Sequence, residues 1–293
     1  MADSSEVLTV QAPAKVNLVL RVVAKRPDGY HELDGVMQKL DLFDTLHVKK
    51  LQEPGIFLQC PNSDLPEDAS NLVYKAAAAF FKESGLDEQY GVSLLLEKKI
   101  PVAAGLGGGS SDAGVVLLTL NKLFASPVSD KKLLALAKEL GADVPFFVIS
   151  DAAVRAQGIG EKMTPVDSLS HCSVLLVNPG FSVSTAWVFE NFRLTRADKV
   201  SNLFDSPENG VLNGVSFELF NDLESVTVDR YPEIESIKEC MLENGAAGAL
   251  MSGSGPTVFG VFPDEADGSV SKCAEVLRGT YGDGVFVTRP LSD

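Results

Sequence analysis

Strands and helices arranged in two successive domains are what this sequence predicts, on three observations. A length of 293 residues suffices for two domains or one large one. The first half reads strand, glycine loop, helix around residues 100–113. After a hairpin turned at Gly158 and Gly160, the run V-L-L-V-N-P-G opens a fresh series of strands, which divides the chain into 1–157 and 158–293.

Composition narrows the class. A content of 45% hydrophobic and 22% charged residues is ordinary for a globular protein with a sizeable core. Lysine and arginine total 25 against 40 acidic residues, and the resulting formal charge of −15 argues against a nucleic-acid or anionic-membrane surface. Cys60, Cys172, Cys240 and Cys273 are widely separated with no C-x-x-C pair, so they read as reduced, buried thiols rather than a zinc site or disulfide framework. The N-terminus lacks a basic region followed by an apolar core, and no run approaches the roughly 18 apolar residues of a membrane span, so a cytoplasmic location is expected. A monomer and a weak homodimer fit equally.

The loop I-P-V-A-A-G-L-G-G-G-S-S-D-A reads as a phosphate cradle. Gly105, Gly107, Gly108 and Gly109 carry no Cβ, so the backbone can adopt positive φ and a polyanion can approach its N–H groups. Ser110, Ser111 and Asp112 then offer N-cap chemistry before an apolar helix whose free amides and dipole attract negative charge. Two other glycine loops do not fit. A Walker loop needs a lysine, and none stands between Lys99 and Lys122; a dinucleotide fingerprint needs Gly or Ala where this chain has Ser110.

Taken in order, 7–11 and 16–24 read as two strands around the break A-P-A-K, with Lys15 and Asn17 at that break. A lysine there is ordinarily a solvated edge charge. A P-D-G turn then sets Tyr30 and His31 side by side at the start of a strand, which suits either a hairpin corner or recognition of a planar ring. L-V-Y-K-A-A-A-A-F-F-K-E-S is an amphipathic helix stopped by Gly85, and 91–98 is the strand entering the glycine loop. D-K-K-L-L-A-L-A-K-E-L is a helix ending at Gly141, which leaves Asp143 past a helix C-terminus among apolar neighbours, a setting that would raise its basicity. Farther on, Trp187, Phe189 or Phe192 could face a ligand, and 195–215 reads as loop with short helices. A helix from 230 stopped by Gly245, a second glycine-rich turn S-G-S-G-P, a helix over 264–277 and a last strand V-F-V-T complete the chain.

Three stretches together resemble the GHMP kinases: P-A-K-V-N-L their first motif, P-V-A-A-G-L-G-G-G-S-S-D-A their ATP-phosphate motif, and S-G-S-G-P-T-V-F-G their third. K-R-P-D-G-Y-H-E-L, G-A-D-V-P-F-F, G-I-G-E-K-M-T-P-V and F-N-D-L-E narrow the likeness to the branch acting on a cytidine-diphosphate-linked methylerythritol. Asp112, Ser254 and Pro256 are departures, since some relatives carry Asn, Thr and Ala there.

The resemblance implies an α+β, two-domain GHMP kinase fold, with an N-terminal ATP-binding domain and a ferredoxin-like C-terminal one. It implies transfer of the γ-phosphoryl of ATP, with Mg²⁺, to the 2-hydroxyl of the cytidine-linked substrate in non-mevalonate isoprenoid synthesis. ATP would lie along Pro101, Val102, Ala103, Ala104, Gly105, Leu106, Gly107, Gly108, Gly109, Ser110 and Ser111. Lys15 and Asp143 would form the catalytic pair. Tyr30 and Phe189 would sandwich the cytosine, with His31 on its polar edge, Asn17 near the methylerythritol, Gly253, Ser254 and Gly255 beside the substrate, and Trp187 a rival for the stacking role. Another GHMP specificity, such as homoserine or mevalonate, or a catalytically silent nucleotide-binding protein, are the alternatives.

Overall fold

The computed structural model describes residues 7–61, 63–193, 209–212, 215–264 and 268–293. They form two compact units that interleave in sequence: one holds residues up to Ala14, 42–100 and 107–150, the other 15–41, 101–106 and 151–293.

Two long strands, β1 (Val7–Lys25) and β2 (His31–Leu51), supply residues to both units. The first unit adds β3 (Gly55–Gln59), α1 (Leu72–Ser84), β4 (Gly91–Glu97), α2 (Gly108–Leu123) and α3 (Asp130–Leu140). β4 runs antiparallel to β2, from Thr45 opposite Glu97 to Leu51 opposite Gly91, and parallel to β3. α1 begins where the Asn71 side chain accepts the Val73 N–H, and it stops at Gly85, which is left-handed at φ 67°. Its buried face, Val73, Ala76, Ala77, Phe80 and Phe81, shares a core with Val116, Leu117 and Leu120 of α2 and the apolar side chains of β4. The alanines keep the stripe smooth enough for two helices to pack closely.

The second unit adds a hairpin, β5 (Ala153–Gly158) and β6 (Lys162–Pro165), turned at Gly158 and Gly160 as the sequence predicts. β5 is antiparallel to β2, with Leu33 opposite Gly158. There follow β7 (Cys172–Val177), α4 (Thr185–Asn191), the hairpin β8 (Asn209–Leu212) and β9 (Val215–Glu218), then β10 (Phe220–Asn221), α5 (Glu224–Arg230), α6 (Glu233–Glu243), β11 (Gly248–Met251), β12 (Val258–Pro263), α7 (Ser269–Tyr281) and β13 (Val285–Thr288). Strands β11, β12, β7 and β13 make a four-stranded sheet in that order, antiparallel throughout. α6 packs on β11 and β12, and α7 on β7 and β13. Counting α6 and α7 with the four strands gives the β-α-β-β-α-β order of a ferredoxin-like layer. Its core is Leu175, Val177, Ile234, Ile237, Met241, Phe262 and Leu277.

Four expectations on element bounds change. β1 is one strand where a break was expected at A-P-A-K. Proline lacks an N–H and is tolerated in a strand where no ladder bond is required of it. β10 meets β1 six residues beyond Pro13, at Val19 and Leu20, and the Lys15 N–H leaves the ladder to bond the Leu106 carbonyl at 2.9 Å. The helix expected from 230 begins at Glu233, because Pro232 at its N-cap separates it from α5. The helix expected over 264–277 is α7, which starts after the left-handed Gly268. The loop expected over 195–215 falls largely outside the described residues; 209–212 and Val215 belong to the β8–β9 hairpin.

Candidate active site

The glycine loop is contorted at two of the four glycines. Gly105 has φ 78° and Gly107 φ 70°, both left-handed. A Cβ on Gly105 would stand 2.1 Å from the Ser252 carbonyl oxygen, so glycine is required there on two counts. Gly108 and Gly109 are helical instead. The N-cap is Gly107, so Ser110, Ser111 and Asp112 lie inside the first turns of α2 and do not cap it. The helix starts as soon as the chain has passed the left-handed Gly107, and its first backbone bond runs from the Ser111 N–H to the Gly107 carbonyl at 2.9 Å. The amides of Gly108, Gly109 and Ser110 therefore have no acceptor within the helix. A Cβ on Gly109 would meet nothing within 4 Å, so the space beside Gly109 is open, whereas one on Gly108 would stand 3.1 Å from Ile100 and 3.2 Å from Lys98 Nζ. Donors converging at a helix N-terminus are what a phosphate group needs.

Beneath the same helix end lies a buried charge cluster. The Lys98 ammonium contacts Asp44 Oδ2 and, at 2.7 Å, Asp112 Oδ2. Asp44 is fully buried and its Oδ1 accepts the backbone N–H groups of Lys99 (2.6 Å) and Ile100 (2.9 Å), which anchors the entry to the glycine loop. Asp112 is 1% exposed, with Oδ1 buried and unbonded. Burial raises its carboxyl to about 7, assisted by the negative charge of Asp44 and opposed by Lys98. Burial acts to lower the Lys98 ammonium, but Asp112 and Asp44 outweigh it and hold the group above its usual value. The charge of Asp112 thus turns toward Lys98. Neither Asp44 nor Lys98 was legible as a site residue, because the pairing spans 54 residues of sequence. The only hint was the doubled lysine just before the loop.

In the second unit, Lys15 and Asn17 lie on the same face of β1, two residues apart. Lys15, 4% exposed, donates from Nζ to Asn17 Oδ1 at 2.5 Å, so it is not the solvated edge charge that its place in the sequence suggests. Against them packs the turn after β11. A Cβ on Gly253 (φ 60°) would lie 3.4 Å from Asn17 Oδ1 and 3.6 Å from Lys15 Nζ. Ser252 Oγ donates to the Gly105 carbonyl at 2.9 Å and accepts from the Asn17 N–H at 3.4 Å. Ser254 is buried with its hydroxyl 2.7 Å from Thr185 Oγ1, and Gly255 is left-handed at φ 84°. Lys15, Asn17, Gly105 and the Ser252–Gly255 turn therefore form one wall.

Farther along the strands, His31 stacks on Phe189 with ring centroids 5.0 Å apart and planes at 24°. Burial, with the nearby charge of Lys25, lowers the His31 imidazole below its usual value, so the ring is neutral at pH 7 and offers one donor and one acceptor. Tyr30 is 62% exposed beside it. Trp187, the rival for ring stacking, lies under the Arg230 guanidinium, 4.6 Å from its centroid.

Asp143, in the first unit, is half-buried. As the sequence predicts, it lies just past the C-terminus of a helix, and the structure adds the turn that follows. α3 closes at Gly141, and Asp143 opens a new single turn, Val144–Phe147, where its carbonyl accepts the Phe146 N–H at 3.2 Å. The apolar neighbours are as expected: Val144, Pro145, Phe146 and Phe147 are all buried.

Comparison with known proteins gives the family. The model of the GHMP kinases N-terminal domain matches residues 71–151, and that of the GHMP kinases C-terminal domain matches 205–274. A 4-diphosphocytidyl-2-C-methyl-D-erythritol kinase of Geobacter sp. (strain M21) is 46% identical over 95% of this chain and 98% of its own length. The enzyme of the same name from Desulfotalea psychrophila is 42% identical over 99% and 98%. Among solved structures, a 4-(cytidine 5'-diphospho)-2C-methyl-D-erythritol kinase superposes with a TM-score of 0.79 at 34% identity, covering 98% of this chain and all of that one. A homoserine kinase from Cytophaga hutchinsonii shares the fold, with a TM-score of 0.71 at 16% identity. With both of its family halves matched and relatives alike from end to end, the chain belongs to the GHMP kinases.

Proposed function

We propose that this chain transfers the γ-phosphoryl of ATP to the 2-hydroxyl of 4-diphosphocytidyl-2-C-methyl-D-erythritol, a step of non-mevalonate isoprenoid precursor synthesis carried out in the cytoplasm. The observation that carries the reading is the end-to-end likeness to kinases of that name. Placement of the two family models on either side of 157/158 supports an ATP-binding half up to 157 and a C-terminal half from 158.

In this reading the amides of Gly108, Gly109 and Ser110 receive the phosphates, and Pro101 to Ser111 line the nucleotide. Asp143 accepts the proton of the acceptor hydroxyl. Lys15 stabilises the developing alkoxide, while Asn17 and the Gly253–Gly255 turn position the methylerythritol. Phosphoryl transfer asks little covalent chemistry of a protein, so fixed amides and one positioned base suffice. Among the described residues no group of three His, Cys, Asp or Glu side chains could hold a metal ion. Mg²⁺ would accompany the ATP phosphates and would supply charge neutralisation there. Also among the described residues, no helix is long and apolar enough to cross a membrane. We take a small molecule as the partner, with no nucleic acid or membrane, and a monomer or weak homodimer as the working form.

The stack of Phe189 on His31 favours Phe189 over Trp187 for the cytosine, with Tyr30 as the second face. Removing a base-stacking ring costs roughly 1–3 kcal/mol, about 5- to 150-fold in affinity. Phe189→Ala and Tyr30→Ala should each weaken the cytidine-linked substrate by that factor in calorimetric titration and leave ATP within about twofold, with Trp187→Ala altering neither. Equal losses for both ligands would count against the assignment.

A further inference from the structure

We infer that Asn221 is a positioning residue of the reaction, fixing through its side-chain amide the glycine turn that walls Lys15 and Asn17. The inference rests on the reading of Lys15 as catalytic, and adds a residue that this reading does not include.

Asn221 belongs to F-N-D-L-E, a segment with no role in the site described above. It is 7% exposed and joins two pieces of backbone. Its own main chain extends β1: Leu20 pairs with Asn221 in parallel register, the Asp222 N–H bonds the Leu20 carbonyl at 3.0 Å, and Asp222 Oδ2 accepts the Val22 N–H at 2.6 Å. Its side chain reaches the glycine turn. Asn221 Nδ2 donates to the carbonyls of both Met251 and Gly253, each at 2.8 Å, and its Oδ1 accepts the Leu223 N–H at 3.0 Å. Glu224, at the other end of the segment, accepts the Met251 N–H at 2.7 Å, and its second oxygen contacts Lys238.

Two carbonyl oxygens that converge on one point require a nitrogen with two hydrogens. A side-chain amide supplies it without bringing a charge into the core. Gly253 is the residue whose Cα faces Lys15 Nζ and Asn17 Oδ1, so the carbonyl held by Asn221 and the wall seen by Lys15 belong to the same peptide. The strand that carries Lys15 and the turn that confines it are thereby locked to each other by one side chain. A reacting group held by such a lock loses rate steeply when the lock slips, since a misplacement of about 1 Å costs about 10²-fold.

Asn221→Asp tests this, because the carboxylate has the same shape and turns an acceptor toward two acceptors. On folded protein, checked by melting temperature and circular dichroism, kcat should fall about 10- to 100-fold with KM for ATP within about threefold. The ratio of variant to parent kcat should climb as pH is lowered, because the protonated carboxyl regains one donor. Asn221→Ala, which has no proton to regain, should show the same loss without the acid recovery and serves where the aspartate variant folds poorly. Lys15→Met run alongside separates the two ideas. If Lys15→Met abolishes turnover while Asn221→Asp melts lower but keeps the parental kcat per folded molecule at every pH, Asn221 is merely structural and the inference is overturned alone. If Lys15→Met leaves turnover intact, the reading of Lys15 falls and the inference with it.

Discussion

Asp143→Asn lowers kcat about 10²- to 10⁴-fold and leaves KM for both substrates near the parental values, the range expected when a positioned proton acceptor is lost. Asparagine preserves the size of the side chain and its place at the start of the Val144–Phe147 turn, so the fold is undisturbed. It cannot take up a proton. The acceptor hydroxyl must then lose its proton to water, while binding through the loop amides and the aromatic pair continues. Because Lys15 and Asp143 act in this account on the same acceptor hydroxyl, the two losses should not add. A Lys15→Met, Asp143→Asn double variant should be no more than a few-fold slower than the worse single variant, as for residues that act as a unit. Multiplicative losses in single-turnover kinetics would show that the two side chains work independently, and an unchanged kcat in Asp143→Asn would remove that residue from the mechanism.

The second large effect is a contrast between two glycines of one loop. Gly105→Ala should destabilise the protein severely. The left-handed backbone at φ 78° alone costs roughly 1–3 kcal/mol for a residue with a Cβ. The added carbon would lie 2.1 Å from the Ser252 carbonyl oxygen, a backbone atom that can move only by shifting the turn beside Lys15. Gly109→Ala should do the reverse. Its backbone is helical, its Cβ would enter open space, and alanine is favoured over glycine within a helix by about 1 kcal/mol. Side chains on a helix tilt toward its N-terminus, so the new methyl would intrude before the amides of Gly108, Gly109 and Ser110. Thermal melts should find Gly109→Ala at or above the parent and Gly105→Ala well below it, while KM for ATP rises at least about tenfold in Gly109→Ala, the 1.4 kcal/mol equivalent of one lost charge-assisted contact. A Gly109→Ala protein that binds ATP as the parent does would show that the phosphates do not sit on these amides.

How far the sequence could be read varies from element to element for physical reasons. α1, α3 and β13 are found where periodicity and stop signals set them, because an alanine-rich stripe ending in glycine, or a short β-branched run, is decided locally. The ferredoxin-like order came from the family resemblance, and the sheet of β11, β12, β7 and β13 bears it out. Misreadings arose where one residue's local preference was overruled by what surrounds it. Pro13 suggested a break in β1, yet no ladder bond is asked of it. Ser110, Ser111 and Asp112 looked like caps, but the left-handed Gly107 had already started the helix. Least legible were the supports of the site. Asp44, Lys98 and Asp112 meet across two loops of chain, and Asn221 reaches carbonyls 30 and 32 residues away. No periodicity marks such pairings, because they depend on where distant backbone carbonyls and charges come to rest.

The central claim is a kinase specific for a cytidine-linked polyol, and an ADP-release assay with Mg-ATP over a panel of acceptors tests it most directly. The panel holds 4-diphosphocytidyl-2-C-methyl-D-erythritol, methylerythritol phosphate, mevalonate, homoserine and galactose. The account predicts turnover with the first alone. Turnover with any other acceptor would keep the family and contradict the roles given to Tyr30, His31 and Phe189, and silence on all five with ATP binding intact would contradict the assignment as an enzyme.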